Sequence, residues 1–164
     1  MFTLSRPCAG PDGPGYRKLG KLWHYFQGTS GRWVPCTVGQ FGEHTGRDII
    51  VPIGTPVKAP LSGTVCFAGP QNKLDLKVGL GNRVIFQADF TVLAYDEEKI
   101  RPYISVAHLS EIFVCEGARV IEGQTVLGLS GDTGNVSGPH VHTHVTDPRF
   151  GGPIQPMEFE WRMV

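Results

Sequence analysis

No apolar run in this chain of 164 residues approaches the roughly 20 that a membrane span requires. Its opening, Met1-Phe2-Thr3-Leu4-Ser5-Arg6-Pro7, lacks the basic start and long apolar middle of a secretory signal. Neither membrane insertion nor export by the general secretory route is expected. An excess of one charge is also missing: Lys+Arg 15 and Asp+Glu 15 cancel to a formal net charge of +0, which leaves no footprint for nucleic acid. The four cysteines, Cys8, Cys36, Cys66 and Cys115, form no C-x-x-C pair, so they suggest neither a structural zinc nor a redox motif, and free thiols are expected. Helical periodicity is absent, since no stretch keeps apolar residues at i, i+3, i+4 and i+7 over three turns. There is no internal repeat, low-complexity tract or linker.

What the chain has in excess is Gly 22 and Pro 13, together above a fifth of its residues against an average of roughly 12%. Such punctuation favours short strands joined by turns. Alternating or β-branched runs recur at residues 63–67, 83–87, 90–95, 103–109 and 140–145, separated by Gly-rich turns at 54–56, 79–82, 131–134 and 151–153. The expected fold is all-β, an antiparallel sheet or sandwich, and residues 1–164 are expected to form a single domain. Two stretches read as additions to it. Residues 1–39 show no period of either kind despite the cluster Trp23-His24-Tyr25-Phe26 and Trp33, and are expected to form a long ordered loop on the core at 40–147. Residues 89–101 read as a hairpin with a solvated charged tip at Asp96-Glu97-Glu98-Lys99, the charge run having a structural role.

The chemistry lies in the histidines. His140, His142 and His144 occupy alternate positions of one predicted strand, so their imidazoles share a face. Nearly a hundred residues earlier, His44-Thr45-Gly46-Arg47-Asp48 offers one more nitrogen and a carboxylate. Two histidines and one carboxylate form a ligand set of catalytic zinc sites with a position left open for water. Spacing alone does not choose between His140, His142 and His144 as the strand's ligand. The H-E-x-x-H motif is absent, and Glu43, next to His44 in an extended segment, points away from the ligand face. Singly, His44 or His108 reads more simply as a hydrogen-bonded structural histidine, and the glycines satisfy turns. His24, in the aromatic segment, and Asp147, before Pro148, carry no functional assignment.

The segments His44-x-x-x-Asp48, Gly54-Thr55-Pro56-Val57, Gly63-Thr64-Val65, Gly81-Asn82, Ala107-His108-Leu109-Ser110, Gly123-Gln124 and Gly138-Pro139-His140-Val141-His142 stand in the order seen in the lysostaphin and LytM-type zinc metalloendopeptidases, which this chain resembles. The resemblance implies a LytM-like β fold of the duplicated hybrid motif type, a substrate groove, one zinc ion, and cleavage of peptides in bacterial peptidoglycan. Carried over by position, it makes His44, Asp48 and His142 the zinc ligands and His108 and His140 the catalytic histidines, with the division of labour between the last two left open. His144 stands where many relatives carry Glu or Gln, and with Asn82 it is placed beside the ligands or along the groove. The loop at 128–138 and the extension at 89–101 are expected to form two groove walls.

With neither an export signal nor a wall-binding domain visible, the sequence suits a bacteriophage lysin or virion-associated lytic enzyme, held in the host cytoplasm before lysis or in the virion and acting on the cell wall. The alternative is a catalytically silent LytM-like binding, activator or structural virion module. Zinc storage or transfer fits poorly, because the ligands are diverse and well separated.

Overall fold

The computed structural model describes residues 2–19, 21–27, 32–37, 46–94, 96–149, 157 and 159–162. No helix occurs among them. The strands in chain order are β1 (Thr3–Leu4), β2 (Gly15–Leu19), β3 (Leu22–Gln27), β4 (Arg32–Cys36), β5 (Arg47–Ile49), β6 (Pro56–Lys58), β7 (Gly63–Pro70), β8 (Asn82–Ala88), β9 (Val92–Leu93), β10 (Lys99–Ile100), β11 (Tyr103–Ile112), β12 (Arg119–Val120), β13 (Val126–Ser130), β14 (Val141–Thr146) and β15 (Glu160–Trp161).

The main sheet has eight strands, all paired antiparallel, in the path β12-β7-β8-β11-β13-β6, with β14 on β11 and β5 on β14. Val57 of β6 and Val120 of β12 come from opposite ends of that path, yet both enter one core with Phe86, Ile104 and Leu127. The sheet therefore curls around its core, as a sandwich does. Each such fully buried side chain contributes roughly 1.5–3 kcal/mol, so this core outweighs any surface ion pair at about 0–1 kcal/mol. The one parallel pair among the described strands, Thr3 with Glu160 and Leu4 with Trp161, joins β1 to β15.

Strand β11 organises the sheet. Along one edge it pairs with β8; along the other it pairs with β14 from Tyr103 to Ala107 and then with β13 from Leu109 to Ile112. The exchange of partners falls at His108, where the register shifts and the backbone turns left-handed with φ 62. A non-glycine residue there costs roughly 1–2 kcal/mol, which surrounding bonds must offset.

The first forty residues correct the sequence reading. In place of a long loop, β2, β3 and β4 form an antiparallel three-stranded sheet, with Arg17 opposite His24 and Phe26 opposite Trp33. Period 2 appears in sequence when one face of a strand is buried and the other wet. In β4 no residue is fully buried and exposed positions do not alternate, so the aromatic and β-branched composition was the only sign. Ahead of this sheet, Gly13 N–H donates to Asp48 O at 3.0 Å and Ile50 N–H to Pro11 O at 2.9 Å, which covers the free edge of β5.

Residues 89–101 form the expected hairpin, β9 with β10. Its tip is not purely solvated: Arg149, just beyond β14, bonds Asp96 at 2.8 Å and Asp147 at 2.7 Å. The predicted turn at 151–153 lies outside the described residues. Cys8, Cys36, Cys66 and Cys115 are all free thiols.

Candidate active site

Strand pairing creates the site. His142 on β14 stands opposite Asp48 on β5 and, across its other edge, opposite Ala107 on β11. Asp48 Oδ1 lies 2.8 Å from His142 Nδ1, and its Oδ2 lies 3.5 Å from His140 Nε2. His142 turns its other nitrogen, Nε2, to His144 Nδ1 at 3.1 Å. The His108 ring meets His140 edge-on with centroids 4.7 Å apart and His142 at 6.0 Å. Alternation along the strand thus places all three imidazoles on one face, as predicted. Asp48, His108, His142 and His144 are each 6% exposed or less, whereas the His140 side chain is 18% exposed and forms the open side of the cluster.

Two loops fix His108. Its backbone N–H donates to Leu80 O at 3.0 Å and its Nδ1 donates to Thr133 O at 2.7 Å. A carbonyl only accepts, so Nδ1 carries the hydrogen and Nε2 of the neutral ring keeps its lone pair. His140 is set in the same way, its Nδ1 donating to Gly138 O at 2.9 Å. Burial pushes His108 down to about 4, against a smaller upward pull from its bond to Thr133, so the metal-free site holds it neutral at pH 7. Thr133 also ties the loops to the sheet: its hydroxyl donates to Leu109 O at 2.8 Å and accepts from Asn82 N–H at 3.1 Å. Asn82, a candidate from sequence, therefore enters through its backbone. A Cβ on Gly81, which has φ +61, would stand 2.4 Å from the Thr133 carbonyl carbon and 2.5 Å from Gly134 N, so glycine lets the two loops interlock.

Asp48 and His142 offer one carboxylate oxygen and one imidazole nitrogen facing each other, hard and borderline donors that suit zinc. A Cβ on Gly46 would lie 2.3 Å from Thr143 O and 3.1 Å from His142 Cε1, so the segment entering β5 is packed tightly on the histidine strand. His44, the remaining expected ligand, lies outside the described residues, and among the described residues no three His, Cys, Asp or Glu side chains form a complete metal set. The two donors present fit the expected ion.

An open cavity of about 400 Å³ runs along residues 134–138 to Gly138, the carbonyl partner of His140, with Lys77 and Asp132 also in its lining. Of the loop at 128–138, Asp132 and residues 134–138 line this cavity. The described residue facing it comes from 71–81, not from the 89–101 extension. Register explains the difference, because that extension leaves β8 and β11 at Ala88 and Tyr103, about 13 Å along β11 from Ala107 at roughly 3.3 Å per residue. In the sequence Thr133 and Leu80 read only as turn residues; the backbone acceptors they offer His108 have no signature in residue type.

The family model described as "Peptidase family M23" matches residues 42–156. The chain is 33% identical over 99 residues to peptidoglycan DD-endopeptidase ShyA of Vibrio cholerae, which covers 60% of this chain and 19% of that protein. To DD-carboxypeptidase/endopeptidase Mpg of Neisseria meningitidis it is 34% identical over 116 residues, 70% of this chain and 22% of the relative. The chain therefore spans about a fifth of the length of these curated relatives. The solved catalytic domain of lysostaphin from Staphylococcus simulans superposes with a TM-score of 0.58 at 28% identity, over 90% of this chain and 86% of that one.

Proposed function

Because the chain belongs to peptidase family M23, we propose that it is a zinc-dependent endopeptidase that cleaves peptide bonds of bacterial peptidoglycan. The observation that carries this reading is the meeting of His108 with His140 and His142, which flank Asp48, brought together from the loop-held bulge of β11, the start of β14 and β5. Two imidazoles are held by Nδ1 bonds to carbonyls, and one of them, His140, sets its Nε2 3.5 Å from the Asp48 carboxylate, an arrangement that suits proton handling beside a metal. His44, Asp48 and His142 are the ligands in this proposal. Bound zinc would supply Lewis acidity, lowering the pKa of water and polarising the scissile carbonyl.

The chain's own groups divide the remaining work. His140, the more open ring, and His108, the more buried, share two tasks: one accepts a proton of the attacking water at Nε2, and the other holds the developing oxyanion or protonates the leaving amine. Centroids 4.7 Å apart disfavour two imidazolium charges, so the pair handles one proton at a time. The Lys77 and Asp132 cavity beside Gly138 suits an extended peptide carrying both charge signs. We further propose a single domain and action as a phage lysin or virion-associated enzyme; the absence of charge excess supports peptides rather than nucleic acid as substrate.

Metal analysis combined with turbidity clearance of purified cell walls tests the function. One zinc per chain, with clearance abolished by chelator and restored by zinc, is the expected result. Zinc without clearance on walls of several cross-link types would instead identify a catalytically silent binding module.

A further inference from the structure

The third histidine of the strand, His144, has so far no task. It is 6% exposed, too buried for a residue that serves only to solubilise the strand, and its Nδ1 is aimed at His142 Nε2 from 3.1 Å. His142 in turn aims Nδ1 at Asp48 Oδ1 from 2.8 Å. The three groups form a line in which the central imidazole can carry only one hydrogen while neutral. With that hydrogen on Nδ1, His142 donates to Asp48 and cannot bind a metal there. With it on Nε2, the Nδ1 lone pair faces the Asp48 corner and the hydrogen needs a buried acceptor.

We propose that His144 is the positioning residue that accepts the Nε2–H of His142 and so holds His142 Nδ1 open for the metal. This rests on the zinc reading above. The arrangement balances without gain or loss of protons. In the metal-free chain His142 carries hydrogen on Nδ1 and His144 donates from its own Nδ1; in the loaded chain both rings carry it on Nε2, and the bond between them is reversed. Gly46 keeps the pair in place, since a Cβ there would stand 2.7 Å from His144 Cβ. A neutral two-imidazole line costs less burial energy than a carboxylate behind the ligand, because it adds no second buried charge beside Asp48.

The test uses His144→Phe, which fills the space without an acceptor, and His144→Asn, whose Oδ1 can stand where Nδ1 stands. Zinc affinity is read by competition with a chelating dye, and the tautomer of His142 by nitrogen-15 NMR of metal-free and zinc-loaded protein. The Phe variant is expected to bind zinc about 10–100-fold more weakly than wild type, with Asn restoring most of the loss. Thermal melts in chelator show that each variant is folded. Wild-type affinity in the Phe variant, equal loss in both variants, or an Nδ1 hydrogen on His142 in the loaded protein would each overturn the assignment. A wild-type chain that takes up no zinc overturns the metal reading itself, a different result from a wild type that binds zinc and a Phe variant that matches it.

Discussion

Asp48 touches two imidazoles at once, through Oδ1 to His142 and Oδ2 to His140, and the two contacts have different consequences. Alanine at Asp48 or His142 removes a proposed ligand, so zinc content should fall from near one per chain to near zero together with wall clearance. Alanine at His108 or His140 leaves both donors facing each other. Those variants should keep their zinc and lose turnover by about 10²–10⁴-fold, the usual contribution of a positioned acid or base. A His140→Ala protein with undiminished clearance would contradict the assignment. Outside the site, burial against the core raises the Cys8 thiol from its ordinary 9.0 to about 11, with Arg6 opposing it. The unfolded chain gives up that proton near pH 9 and the folded chain retains it to about 11, so stability should decline as pH rises through this window. Alkylation at pH 9 should accordingly modify exposed Cys66 and Cys115 well before Cys8, which mass mapping will show.

At the scale of elements, the exchange of partners along β11 decides where catalysis can occur. The strand leaves β14 at Ala107 and joins β13 at Leu109, and the residue between them turns toward two loops rather than into either ladder. Loops 71–81 and 131–138 then act as one unit, through Leu80 O and Thr133 O on His108 and through the glycine contact at Gly81. Gly81→Ala should force them apart, both by contact with Thr133 and by its left-handed φ of +61. We expect a loss of about 2 kcal/mol or more in urea unfolding, and a fall in kcat/KM larger than any fall in zinc content. Wild-type kcat/KM in the folded variant would mean that His108 does not depend on this interlock. The β7 and β8 runs were legible in sequence because burial alternates along parts of them, and the β11 and β14 runs, buried at nearly every position, because of their β-branched and apolar composition. The bulge at His108 was not, since its left-handed turn is enforced by acceptors from two distant loops.

Across the whole molecule, Arg47 does for the architecture what Asp48 does for the site. Adjacent on β5, they point to opposite faces. Arg47 is 6% exposed, bonds Glu160 of β15 at 2.9 Å, and lies over the rings of Trp33 from β4 and Trp161 from β15 at 5.7 and 5.5 Å. It joins the amino-terminal sheet and the carboxy-terminal strand to the strand that carries Asp48. Arg47→Ala should cost about 3 kcal/mol by removing the largely buried ion pair with Glu160 and opening the aromatic contacts, measurable as a lower urea midpoint. Restoring only the charge with Lys should recover part of it, because ammonium lacks the planar stacking of guanidinium. The sequence by itself determined the β class, the shared face of His140, His142 and His144, and the donor types, because pleat alternation and side-chain chemistry are local properties. The tertiary structure alone decided that Asp48 lies opposite His142, that Thr133 and Leu80 hold His108, and that loop 71–81 faces the 134–138 wall. Those are relations of register and backbone approach between residues far apart in the chain, and no local pattern of side chains encodes them.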